Sequence, residues 1–446
     1  MGAVSLRPHL TSLKNVLGIN RALLWAGGAR GLAIVLGPIG SMITVFTLSA
    51  TEQGTYYLFM SLVSLIALFD LGASAAIAQM TPHEIENQTH QFALPRNDFV
   101  IVALRWINRI ALAFGLVMGP VGVLFLAWSK QYDIAVYTMW IATVIAAAIT
   151  GALEGRLKIV YGAGGVDWTN RLRFISVMIQ YPVQWFMLIA GASLFSFSTS
   201  LVAVYSFQRW QLWRAYPALW PARSPSTPER ERIQRELPAL IARASLTYAS
   251  GVLVLQVQQP IVYHLLGPSD SARLGFTAMV GSSLINLASL WGMNQFPSIA
   301  RQVKQGSLAN AHKEFRQMLA RTAIVATIGL GLGLAAIPVL GLVPRFSERL
   351  LTVPHAIPLF AALWLQVVAL SCAYWPRAFK AEPFTPVAAA QMIVTPIAVW
   401  GFCTKLGIVG VGWANLVSWI IGFAGIALIT RGYNSSPQLA GRAAEG

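Results

Sequence analysis

Apolar stretches of about 20 residues or more recur from near the start of this chain almost to its end. Each is long enough to cross a hydrocarbon core about 30 Å thick. The runs are continuous rather than alternating, which excludes a transmembrane β-barrel. Only 11% of the 446 residues are charged and 56% are hydrophobic, whereas an ordinary soluble domain is about 25% charged. The fold class is therefore an all-α polytopic membrane protein.

About twelve transmembrane helices are expected, near 22–48, 55–80, 99–128, 134–153, 173–194, 197–216, 239–265, 274–299, 314–343, 355–375, 385–403 and 407–430. Connections after odd-numbered spans are short: "SATEQG", "SKQYD", "GASLFSFSTS", "GPSDSAR", "VPRFSERLLTVP" and "TKLGI". Those after even-numbered spans are longer and basic. Of the 32 Lys and Arg, 26 fall on the side that holds both termini. Five fall on the other side (Lys130, Arg273, Arg345, Arg349, Lys405), and Arg30 lies within the first span. Cytoplasmic segments carry the Lys/Arg excess, so both termini are expected in the cytoplasm. The net charge of +16 has the same origin and does not point to nucleic acid, for which no reading surface or motif is present.

The longest polar stretch, "PALWPARSPSTPERERIQRELP", divides the spans six and six. The expected organisation is an N-terminal six-helix lobe (1–216), a cytoplasmic linker (217–238) with a short surface helix over 229–236, and a C-terminal six-helix lobe with a short cytoplasmic tail (239–446). The halves resemble each other weakly. "EGRLKIVYGAG" answers to "WPRAFKAEPFT", Gly72 stands opposite Gly292, and Pro182 and Pro396 interrupt corresponding spans. Six spans per half with equal orientation means parallel repeats about a pseudo-two-fold axis. A transporter with such repeats has its site between the halves.

The candidate site residues are those expensive to place in lipid. Asp70 sits deep in "YLFMSLVSLIALFDLGASAAIAQM". A carboxylate there costs roughly 2.5–3.5 kcal/mol on insertion scales, so it must face protein or water. Counting at about 1.5 Å per residue puts Arg30 at nearly the same depth. Two readings stay open: an Arg30–Asp70 pair that orients two helices, or an anion site at Arg30 in a cavity that Asp70 tunes. Gln256, Gln259 and Asn294 are candidates for lining a wet cavity or for interhelical glue. Gln256 and Gln259 share a face, whereas Gln258 points elsewhere. Arg105, Arg109, Arg243 and Arg321 sit at cytoplasmic helix ends, either snorkelling to the interface or forming a basic mouth that collects an anionic lipid head group.

Several classes are disfavoured. Cys372 and Cys403 and six scattered histidines suggest neither a disulfide framework nor a metal site. The opening residues lack the compact apolar core and cleavage site of a removable signal peptide. No Walker A pattern, catalytic triad or zinc signature is present. The short outer loops leave no room for a glycosyltransferase or ligase site, and an enzyme is not expected.

At "LSATEQGTYYLFMSLVSLIALFDLGASAAIAQ", through Ser49, Glu52, Gly54, Tyr56 and Asp70-Leu71-Gly72, the chain resembles the polysaccharide (O-antigen type) flippases of the multidrug/oligosaccharidyl-lipid/polysaccharide exporter superfamily. The resemblance implies two six-helix bundles around a central cavity. It further implies translocation of undecaprenyl-pyrophosphate-linked oligosaccharide across the bacterial inner membrane by alternating access, for O-antigen, capsule or exopolysaccharide biosynthesis. Arg30 or the mouth arginines would then be counter-charges for the diphosphate. Partners would be the lipid-linked glycan and membrane lipids, with polysaccharide polymerase machinery as an open further partner. No cofactor is expected, and coupling to H+ or Na+ is left open. Span 7 of such proteins often carries an Asp where this chain has Gln258-Gln259-Pro260, which argues against a cation site in the C-terminal half. The alternatives are a cation-coupled multidrug exporter, a lipid II flippase, and a membrane glycan polymerase or ligase.

Overall fold

The computed structural model describes residues 21–85, 97–131, 133–220, 228–379 and 383–435. The expected tail beyond 435 and the linker segment 221–227 lie outside them. The described residues are helical, with no strand among them. In the N-terminal half the helices are α1 (Arg21–Thr47), α2 (Ala50–Ser64), α3 (Ile66–Asp70), α4 (Ala73–Glu84), α5 (Asp98–Trp128), α6 (Ile134–Gly162), α7 (Val166–Ile189) and α8 (Phe195–Ala215). A 3-10 turn over Pro217–Leu219 follows. The C-terminal half comprises α9 (Pro228–Gln256), α10 (Gln258–Leu266), α11 (Pro268–Lys304), α12 (Leu308–Leu340), α13 (Pro344–Ser347), α14 (Val353–Cys372), α15 (Tyr374–Ala378), α16 (Thr385–Leu406) and α17 (Val409–Ser435).

Nine helical segments among the described residues are long and apolar enough to cross a membrane. They coincide with the first, third to fifth, and eighth to twelfth expected spans. The other three expected spans are also helical but fall short for visible reasons. The second is cut into α2, α3 and α4; the described apolar part of the seventh is Val252–Leu266, most side chains before it lying outside those described. The sixth, α8, is rich in Ser and Gln (FSFSTSLVAVYSFQRWQLWRA). The chain is a multi-pass membrane protein.

The Asp70-Leu71-Gly72 triplet is a helix break inside the membrane-length segment. Leu71 (φ 45°) and Gly72 (φ 81°) both adopt the left-handed conformation, which glycine takes at no steric cost and leucine does not. The Asp70 carboxylate then caps the next helix. It accepts from the Ser74 amide at 3.1 Å and from the Ser74 hydroxyl at 2.7 Å. A negative charge at the start of α4 also complements the helix dipole. The expected equivalence of the halves ends here, since α11 runs unbroken through Leu290 and Gly292. Nor do Pro182 and Pro396 interrupt their spans; both lie inside the continuous helices α7 and α16.

The described part of the linker is packed structure. From Pro228 it is helical and continuous with the seventh span. Ile233 and Leu237 are buried in a cluster whose other members, apart from Ile241, come from the N-terminal half. Arg230, only 1% exposed, donates to Asp98 from Nη2 at 2.6 Å and Nε at 3.1 Å. Arg232 bridges Glu84, Glu229 and Glu236.

Candidate functional site

Two of the four apolar clusters lie wholly in the C-terminal half. A third belongs to the N-terminal half but takes in Tyr263, Phe276, Phe346 and Leu350. Those four residues lie at the end of the bundle carrying the short connections. The two halves are therefore sealed together at that end.

Polar contacts complete the seal. Thr55 and Tyr263 share a hydrogen bond of 3.1 Å between their hydroxyls. Ser271 Oγ donates to the Gly54 carbonyl at 3.3 Å. Arg349, 7% exposed, donates to Gln53 Oε1 at 3.1 Å and to the Leu48 carbonyl at 3.3 Å. Arg345 donates to the Phe46 carbonyl at 2.5 Å. A Cβ on Gly54 would stand 1.9 Å from the Pro268 carbonyl oxygen, so only glycine permits this approach of α2 to α11.

Four of the residues that carried the family resemblance act near this seal. Ser49 and Glu52 form a reciprocal capping box at the start of α2, and Glu52 also accepts from Ser193 at 2.6 Å. Gly54 makes the close contact. Tyr56 accepts a hydrogen bond from Gln184.

Beyond the seal, residues of both halves line a cavity of about 570 Å³. It is lined by α1, α2, α7, the α9–α10 junction and α11. At its closed end the Tyr57 ring lies against Gly275, where a Cβ would come within 2.3 Å. The middle of the wall carries Ser61, Ser64, Gln256, Ser282, Ser283 and Asn286. Arg30 is the single charged residue among the lining residues. Counting at about 1.5 Å per residue, Arg30 lies roughly 9 Å farther than Ser61 from the sealed end.

The candidate residues separate into distinct groups. Arg30, Gln256 and Gln259 border the cavity together. Gln259, 9% exposed, spends its amide on the Ser271 carbonyl (2.6 Å) and hydroxyl (2.8 Å), so it ties α10 to α11. Asp70 is a correction. It does not line the cavity, and no ion pair among the described residues includes it. Its geometry is spent on capping α4, and it lies near enough to Lys158 on α6 to act on that charge. Arg30 instead lies within electrostatic reach of Tyr374. Arg105, Arg109 and Arg321 are on exposed helix faces, not on the cavity wall. The side chains of Asn294 and Arg243 lie outside those described.

Gln258 does line the cavity, contrary to the facing argument. The helix break at Val257 rotates the residues that follow, so the helical wheel that paired Gln256 with Gln259 does not apply across it. Gln258 and Asn415 exchange reciprocal amide hydrogen bonds of 2.7 and 2.9 Å. This neutral pair fills the region where the resemblance leads one to look for an Asp. The serines of the wall were missed. Their signal was present as Ser61/Ser64 and Ser282/Asn286/Ser289, spaced to share one helix face.

Comparison with solved structures places this geometry in a known fold. The lipid II flippase MurJ in an inward closed conformation matches with a TM-score of 0.70 at 13% identity, over 92% of this chain and 87% of that one. An inward-facing multidrug resistance MATE family transporter of the MOP superfamily matches with 0.61 at 12% identity, over 90% and 96%. An outward-facing conformation of a transporter of that description matches with 0.60 at 13% identity, over 94% and 98%. At these identities the likeness is one of fold. No family model and no curated protein matches the chain.

Proposed function

We propose that the chain is a flippase that carries a diphosphate-linked oligosaccharide on an isoprenoid lipid across the bacterial inner membrane by alternating access, with both termini cytoplasmic. The observation that carries this reading is the composition of the cavity wall. Hydroxyl and amide groups suit a glycan, and Arg30, farther from the seal, suits a phosphate. The isoprenoid tail can stay in lipid while the head group occupies the cavity. A wall without a carboxylate suits this cargo better than the cationic compounds of a multidrug exporter. The fold shared with a lipid flippase supports the same class.

Within that class, undecaprenyl-pyrophosphate-linked oligosaccharide for surface polysaccharide is the first reading. Lipid II is the second, favoured by the highest of the three TM-scores. Deleting the gene and analysing the accumulated lipid-linked intermediates tests both. Accumulated undecaprenyl-pyrophosphate oligosaccharide with loss of surface glycan supports the first, and accumulated lipid II supports the second. Unchanged lipid-linked pools with altered drug susceptibility refute the flippase reading. Complementation with Arg30→Ala then tests the anion site, since a well-inserted variant is expected to restore little export.

A further inference from the structure

Span 7 contains a carbonyl that its own helix cannot satisfy. In an unbroken α-helix the Gln256 carbonyl accepts from the amide of residue 260. That residue is Pro260, which has no N–H. The helix breaks at Val257 accordingly. An unpartnered carbonyl within a membrane is costly, and here the partner comes from the other half of the molecule. Ser61 Oγ on α2 donates to the Gln256 carbonyl at 2.5 Å.

The neighbouring serines behave differently. Ser64 donates to the Met60 carbonyl at 2.7 Å, Ser283 to Met279 at 2.9 Å, and Ser289 to Asn286 at 2.7 Å, each within its own helix. Ser61 instead sends its proton across the cavity wall.

We propose that the Ser61–Gln256 hydrogen bond is a latch between the two halves, opened when a hydroxyl group of the cargo takes its place. The proposal rests on the flippase reading above. A sugar hydroxyl can donate to the Gln256 carbonyl and accept from Ser61 at once, so the exchange leaves no polar group unpaired. It does end the direct contact between α2 and α9, since an interposed oxygen holds Ser61 and the Gln256 carbonyl farther apart than a single hydrogen bond does. An ionised diphosphate only accepts and cannot satisfy the carbonyl. The latch therefore responds to the glycan and not to the carrier's head group.

The test uses spin labels on Thr51→Cys and Ser269→Cys, two exposed positions flanking the seal; Cys372 and Cys403 are buried. Distances are measured in the full-length protein with undecaprenyl pyrophosphate, or with that carrier bearing a neutral oligosaccharide. A thermal shift reports binding of each compound independently. Only the glycan-bearing compound is expected to lengthen the distance. Ser61→Ala is expected to raise the open population roughly fivefold to tenfold without ligand, the effect of losing one hydrogen bond. Pro260→Ala returns the missing amide to the carbonyl, so in that background Ser61→Ala is expected to change neither the distance nor the melting temperature.

Additive effects of the two substitutions overturn the latch. So does a glycolipid that binds without lengthening the distance, or a carrier that lengthens it equally without its glycan. If neither compound produces a thermal shift, the cargo reading fails and the ligand-opened latch fails with it, whereas an additive cycle alone leaves the cargo reading standing.

Discussion

Replacing Gly54 with alanine is the most direct perturbation of the seal. The added Cβ would lie 1.9 Å from the Pro268 carbonyl oxygen, 2.6 Å from its carbon and 3.0 Å from its Cα. All three are backbone atoms, so no side-chain rotation relieves the clash. Restoring an ordinary contact of 3.4 Å requires the two helix starts to separate by about 1.5 Å. Three hydrogen bonds between the halves arise from Gln53, Gly54 and Thr55, at 3.1, 3.3 and 3.1 Å. A separation of this size breaks all of them. At about 0.5–1.5 kcal/mol net for each bond, the sealed state loses roughly 1.5–4.5 kcal/mol relative to a state open at that end. The population shifts by roughly tenfold to a thousandfold. Alanine is the better helix former by about 1 kcal/mol, but α2 is helical in both states, so that gain does not offset the shift. It does predict an intact fold. Spin labels at positions 51 and 269 are expected to report a dominant long distance, with export reduced in cells. A Gly54→Ala protein that keeps the short distance and full export would refute the role assigned to this contact.

Other expectations follow from the same geometry. Asp70→Ala should cost about 0.5–2 kcal/mol, as for a lost helix cap, and a double-mutant cycle in detergent should couple it to Ser74→Ala and not to Arg30→Ala. Leu71→Gly should leave the break intact and relieve about 1–2 kcal/mol of left-handed strain, raising the melting temperature. Arg230→Met should cost roughly 3–5 kcal/mol by leaving Asp98 without its buried partner, and Asp98→Asn in the same chain should recover part of that loss. Arg349→Met should loosen the seal while leaving the cavity lining unchanged, visible as a longer 51–269 distance with an unaltered thermal shift by ligand.

Much of the fold was legible in the sequence because lipid allows few solutions. Long apolar runs placed the helices along the chain, although several extend six to eleven residues past the expected limits at one end. The site was only partly legible. Arg30 and Gln256 stood out because charges and amides are rare in such runs. Asp70 stood out for the same reason, yet depth counting overlooked a nearer claimant. An aspartate before a left-handed Leu71-Gly72 turn and four residues before a serine caps the following helix. The facing argument failed for Gln258 because it assumed one continuous helix across a segment where Pro260 removes an amide. The serines carried no charge and drew no notice, although five of them line the cavity from α2 and α11.

The docked linker has a consequence for how the molecule holds together. The 29 residues of α9 make a rod about 43 Å long, running from the Asp98 anchor to the break at Val257. Its grip on the N-terminal half comes from Arg230, Arg232, Ile233 and Leu237, none of which depends on the peptide bonds between Trp220 and Pro228. Two separate polypeptides, divided between those residues and produced in the same cell, should therefore find each other in the bilayer. Fragment complementation would make the protein tolerant of a cut between Trp220 and Pro228.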